Sequence, residues 1–173
     1  MQNTLIISTS YQIKDTAQAL FDSLDSELQS IRLLDTEAYS SHHCNGCTSC
    51  WLKTPGRCSI KDGCEDLLQT LLWADDVIFA SETALGFVDY KCKNVVDRLL
   101  PLMAPYIDIV DGAARHRARY QRKWRFGLFY TGKPGNDYLS YWLERFSINF
   151  YASSLGAFHE TQKEELKYAL SYH

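Results

Sequence analysis

Long apolar runs are missing from this chain, and none approaches the ~18 residues a membrane-crossing helix requires. The amino end also lacks a basic segment followed by an apolar stretch and a small-residue cleavage site. No secretory leader is therefore expected, and a cytoplasmic location is the default. Proline and glycine are scarce, at 4 and 9 residues, and no repeat or low-complexity tract interrupts the chain. A charge excess is missing too. The net charge of −3 gives no general reason to expect nucleic acid or an anionic membrane as a partner. Hydrophobic residues at 46% against charged ones at 23% exclude disorder. A length of 173 residues suits one domain, residues 1–173, with a core that needs no disulfides.

Cysteine is not scarce. Four of the six cysteines crowd into one stretch, Cys44, Cys47, Cys50 and Cys58, at spacings of two, two and seven intervening residues. In a reducing compartment, clustered thiols more often bind metal or do redox work than staple a fold. Thr54-Pro55-Gly56 predicts a turn that folds Cys58 back toward the other three. Three occupancies are open: a [4Fe–4S] cluster on four thiolates, zinc, or no metal, with structural or redox-active thiols. Whatever the occupancy, the four are expected close together in space. His42 and His43 just before them are weaker candidates. Cys64 and Cys92 fall at apolar positions and are expected in the core.

The remaining pattern alternates. Short apolar runs at 4–7, 30–34, 77–80, 126–130 and 156–159 read as strands. Between them lie helical stripes: Ile13, Ala17, Leu20, Phe21 and Leu24; Leu67, Leu68, Leu71 and Leu72, capped by Asp62; Val88, Cys92, Val95, Val96, Leu99 and Leu100, ending near Pro101; and Leu139, Trp142, Leu143, Phe146 and Phe150, capped by Asn136 or Asp137. Buried strands alternating with helices predict an α/β three-layer sandwich with a five-stranded parallel sheet in the order 2-1-3-4-5. Two segments stand outside it: the cysteine-rich loop at 41–61 and an irregular, basic insertion near 105–125.

Three blocks carry a family resemblance. The first is Cys44-x-x-Cys47-x-x-Cys50-Trp51-x-Lys53-Thr54-Pro55-Gly56-x-Cys58-x-Ile60-x-Asp62. The second is Ala74-Asp75-Asp76-Val77-Ile78-Phe79, then Gly86-Phe87, then Lys93-x-x-x-Asp97-Arg98. The third is His116-x-x-Arg119-Tyr120. Together they resemble the flavodoxin-like NAD(P)H-dependent FMN reductases, in the subgroup overlapping the iron–sulfur flavoproteins. The resemblance implies a flavodoxin-like fold, FMN, a reduced nicotinamide donor, a small-molecule or protein electron acceptor, and a homodimer. It places the FMN phosphate at Ser8, Ser10 and Thr16. It places the ring beside Glu82, Thr83, Ala84, Leu85, Gly86 and Phe87, and beside Thr131, Gly132 and Lys133. It also puts the four cysteines next to that ring. No side chain is assigned as a catalytic acid or base.

The chain departs from the family pattern at the phosphate loop. Thr9 replaces a glycine, Tyr11-Gln12 replaces Pro-Arg, and Lys14-Asp15 replaces Gly-Asn. In the ring loop, Glu82 replaces a proline. These departures support an alternative: a non-enzymatic flavodoxin-like domain with a degraded phosphate loop, used for partner binding or redox sensing. The basic run 115–125 allows a nicotinamide-phosphate patch, a solvated loop or an interface between subunits. Nucleic acid is disfavoured, because no recognition motif accompanies the run.

Overall fold

The computed structural model describes residues 2–25, 30–38, 42–110, 112–133 and 137–172. Strand β1 (Thr4–Ser8) is buried along its whole length, as its unbroken apolar run requires of a central parallel strand. It pairs in parallel with β2 (Ile31–Asp35) on one side and with β3 (Asp76–Ala84) on the other. Leu5 stands opposite both Arg32 and Val77. Strand β7 (Arg125–Thr131) continues beyond β3, and β8 (Ser153–His159) closes the far edge. The order β2-β1-β3-β7-β8 is the expected parallel 2-1-3-4-5 arrangement.

Successive residues of each strand point to opposite faces, and two cores result. On one face, Ile6, Ile78, Ala80 and Phe129 pack against α1 (Lys14–Asp25) through Ala17, Leu20 and Leu24. Helix α6 (Lys163–Ser171), which carries no motif in the sequence, seals the same face with Leu166 and Leu170. On the other face, Leu5, Ile7, Val77, Phe79, Phe126 and Leu128 meet three helices. These are α3 (Cys64–Trp73), α4 (Tyr90–Asp97) and α5 (Tyr138–Asn149). Each fully buried aliphatic or aromatic side chain contributes about 1.5–3 kcal/mol. Cys64 and Cys92 are buried among these core residues, as expected.

Several local expectations change. Helix α3 is entered through Gly63, with φ 85°, not through an Asp62 cap. Asp62 has a stronger partner, described below. Asp137 stands at the start of α5 but makes no side-chain cap bond, and Asn136 lies outside the described residues. The segment expected to be an irregular connection near 105–125 is largely regular. Strands β5 (Met103–Val110) and β6 (Ala113–Ala118) form an antiparallel ribbon outside the main sheet. Its alternating apolar and polar residues are too short a signal to separate from a loop. Two further short elements complete the fold: α2 (Ser49–Leu52), inside the cysteine loop, and β4 (Phe87–Val88), which turns back on β3.

Candidate functional site

All five main strands run the same way, so the segments following β1, β3 and β7 share the carboxyl edge of the sheet. The strand order reverses between β1 and β3, which opens a crevice there. The segment after β1 is tightly held. Thr9 donates from both its N–H and its hydroxyl to the Ala80 carbonyl, at 3.2 and 2.8 Å. Ser8 and Ser10 are buried, and the Ser8 hydroxyl donates to the Ser10 carbonyl at 3.4 Å. The Ser10 hydroxyl is buried with no hydrogen-bond partner. An unpaired buried hydroxyl is costly, so this position calls for an acceptor. Thr16 is half-buried in the first turn of α1. Lys14 does not face an open cradle, because its ammonium pairs with Asp35 at 2.8 Å.

The segment after β3 is a tight hairpin. Leu85 and Gly86, with φ 53° and 79°, connect β3 to β4, and the Leu85 side chain is fully exposed. Thr83 donates its hydroxyl to the Thr131 and Lys133 carbonyls, at 2.9 and 3.2 Å. It thereby ties the β3 hairpin to the segment after β7. A Cβ on Gly132 would lie 2.6 Å from that hydroxyl, and its φ is +87°, so only glycine fits here. Phe87 turns inward, with ring centroids 5.7 Å from Tyr138 and 5.1 Å from Trp142. Ala84 is exposed, and Glu82 is half-buried beside the crevice. The structure thus brings the expected phosphate and ring segments to one edge, with Phe87 committed to packing.

The cysteine loop forms a second locus. The Arg57 N–H donates to the Thr54 carbonyl at 2.9 Å, closing the expected turn over Pro55 and Gly56. Cys44, Cys47, Cys50 and Cys58 line one cavity, together with Asp97, Arg98, Leu100 and Pro101. Those last residues lie at the end of α4. His43, directly before Cys44, packs against Tyr90 at the start of the same helix, with ring centroids 6.4 Å apart. The four cysteines are therefore gathered around one cavity, as expected. Among the described residues, no three His, Cys, Asp or Glu side chains converge as ligands of a single ion. His42 and His43 do not line this cavity.

Hydrogen bonds from Ser59 and Ser49 lower the Cys47 thiol to about 7, and its sulfur lies 3.4 Å from the Ser59 hydroxyl. Burial, then the neighbouring Cys58, Cys44 and Cys47, pushes Cys50 up. Burial raises Cys64 to about 11 and Cys92 to about 12, leaving both inert. The third sequence block braces the loop from outside. The His116 ring lies 4.6 Å from Trp51, and the Arg119 guanidinium donates to the Pro101 and Met103 carbonyls at 3.0 and 3.2 Å. Ser59 and the bracing role of His116 were not legible beforehand. A hydroxyl directly after Cys58 was the available hint for Ser59.

The arrangement has known counterparts. An azoreductase from Bacillus anthracis str. Sterne superposes with a TM-score of 0.60 and 11% identity, over 98% of this chain and 95% of its own. The fold is flavodoxin-like. An FMN-dependent NADH-azoreductase from Bacillus anthracis str. Ames Ancestor, solved in complex with FMN, gives 0.59 and 13%, over 98% and 94%. An NADPH-quinone reductase from P. pentosaceus gives 0.56 and 14%, over 99% and 97%. No protein-family profile matches the chain, and no curated protein matches it. Among the described residues, no helix is long and apolar enough to cross a membrane.

Proposed function

We propose that this flavodoxin-like chain is an FMN-dependent oxidoreductase that passes electrons from NADH or NADPH to a small-molecule or protein acceptor. The observation that carries the reading is the Ser10 hydroxyl, buried and unpaired in the segment after the central strand. A phosphate oxygen is an acceptor of the kind that hydroxyl lacks. Helix α1 starts at Lys14, directly after this segment, so the positive end of its dipole favours the same anion. Thr16 would add a second hydroxyl. Thr83, Gly132 and the Leu85–Gly86 turn would form the wall for the ring. FMN held there supplies hydride acceptance from the nicotinamide and electron release to the acceptor. The chain's own part is to orient the two reactants and to shield them, since no side-chain acid or base in the crevice is committed to proton transfer. The solved relatives include an FMN-bound NADH-azoreductase, which supports this assignment.

Titration of the purified chain with FMN, followed by flavin fluorescence, tests the reading. Micromolar or tighter binding is expected, roughly 8 kcal/mol, together with flavin-dependent oxidation of NADH or NADPH in the presence of a quinone. Failure to bind FMN overturns it and leaves the partner-binding or redox-sensing domain.

A second reading is favoured by the four thiols around one cavity: a [4Fe–4S] cluster, as in the iron–sulfur flavoproteins. Four thiolates binding such a cluster stand further apart than the ligands of one ion. A shared cavity without single-ion convergence is compatible with that. Iron and sulfide analysis after anaerobic reconstitution, for the parent and Cys47→Ser, decides the matter. About four irons in the parent, lost in the variant, supports the cluster.

A further inference from the structure

We propose that the cysteine loop is a peroxide-reducing site, with Cys47 as the thiol that attacks hydrogen peroxide and Cys58 as the thiol that resolves the product into a disulfide. Cys44, Cys47, Cys50 and Cys58 line one cavity. Cys44 and Cys47 are exposed, Cys58 is half-buried and Cys50 is buried. Of the two exposed thiols, Cys47 is the one whose sulfur meets a hydroxyl, that of Ser59 at 3.4 Å. Cys58 is the neighbour of Ser59, so that contact brings its backbone alongside Cys47. Cys58 also stands outside any helix. Cys50 is fixed in α2, and its carbonyl is held by the Gly56 N–H at 3.0 Å. Cys58 is therefore the thiol free to turn toward an oxidised Cys47.

The cavity wall suits a small oxygen acceptor. Its free volume is about 20 Å³, room for a molecule the size of water or peroxide and too little for an organic disulfide. Arg98 lines it with a side chain that is 3% exposed. Both terminal nitrogens of that guanidinium bind Asp62, but its Nε–H is buried without an acceptor. A buried, unpaired donor is costly, and a peroxide oxygen supplies a charge-assisted partner. The carboxylate on this wall, Asp97, is exposed and paired with Lys93. In the first step the Cys47 sulfur attacks one peroxide oxygen. An S–O bond forms as the O–O bond breaks, and the departing hydroxide takes the thiol proton to become water. In the second step the Cys58 sulfur displaces the sulfenic oxygen, which leaves as a second water. Two thiols are oxidised and one peroxide is reduced to two waters. An iron–sulfur cluster would occupy the same sulfurs, so this activity belongs to the metal-free loop.

The test uses the full chain, reduced with dithiothreitol, treated with a chelator, stripped of flavin and desalted. One equivalent of hydrogen peroxide should be consumed per chain, and two of the six thiols should be lost with it. Peptide mapping should join Cys47 to Cys58. Cys47→Ser should leave the peroxide and the remaining thiols untouched. Its side chain is exposed, so its circular dichroism should match the parent's. Cys58→Ser should still consume peroxide and stop at the Cys47 sulfenic acid, trapped by dimedone as a single adduct. The parent should react faster folded than unfolded in urea. Equal rates in those two states, undiminished consumption in Cys47→Ser, or a disulfide from Cys47 to Cys44 or Cys50 overturns the proposal. So does a full complement of iron on the four thiols of the chain as purified, which would leave none free to react. Flavin is absent throughout, so the outcome is independent of the FMN assignment.

Discussion

Asp62 and Arg98 form a bidentate ion pair, 2.7 Å at each contact, with both side chains almost completely buried. Together they fasten both ends of the cysteine loop to the end of α4. Asp62 accepts from the N–H of His42 at 2.7 Å and from the N–H of Cys64 at 3.3 Å. Arg98 reaches the His42 carbonyl as well. Removing one partner leaves an uncompensated buried charge, which costs about 3–5 kcal/mol. Arg98→Met should therefore unfold at much lower denaturant. Asp62→Asn should do the same by somewhat less. Urea titration of both variants checks this.

The same pair sets an acid limit on stability. Burial works against the Asp62 charge, but the Arg98 guanidinium and the His42 N–H outweigh it and hold the carboxyl well below the usual carboxylate range. A depressed folded value means that Asp62 stabilises above the ordinary carboxylate pKa. That contribution is lost as pH falls through the folded value. The parent should thus lose stability between about pH 4 and the strongly acidic range. Asp62→Asn should show a shallower slope there, read as melting temperature against pH.

Ser10→Ala separates folding from cofactor binding. The hydroxyl is buried without a partner, so its removal should leave the flavin-free protein as stable or slightly more so. If the hydroxyl meets a phosphate oxygen, the loss is about 1.5–3 kcal/mol, roughly a 10- to 100-fold weaker FMN affinity. Melting curves and fluorescence titration of one variant give both readings.

Leu85 carries strain that a substitution can relieve. Its left-handed backbone costs a non-glycine residue roughly 1–2 kcal/mol, and its exposed side chain gains no packing in return. Leu85→Asn and Leu85→Gly should raise the melting temperature of the flavin-free chain, with glycine offset in part by unfolded-state entropy. A fall in both would mean that the side chain makes a contact in solution.

Cys47 should be the reactive thiol. With a pKa near 7 and an exposed sulfur, its alkylation rate should rise through a midpoint about neutrality. Ser59→Ala removes the largest hydrogen bond to the sulfur and should shift that midpoint upward. Cys92 should stay unmodified in the folded protein. Mass mapping after iodoacetamide at a series of pH values gives all three outcomes.

The sequence by itself determined the parallel sheet, its strand order and the gathering of the four cysteines. These are local matters: unbroken apolar runs specify buried strands, helical stripes specify the covering layers, and Pro55-Gly56 specifies the turn. Tertiary structure alone decided where those pieces face. The roles of Asp62 and Phe87 were set by Arg98 and Trp142, which lie distant in the chain. The β5–β6 pairing turned a basic stretch into a ribbon. Each of these depends on contacts between residues far apart in sequence, whose energies no local pattern encodes.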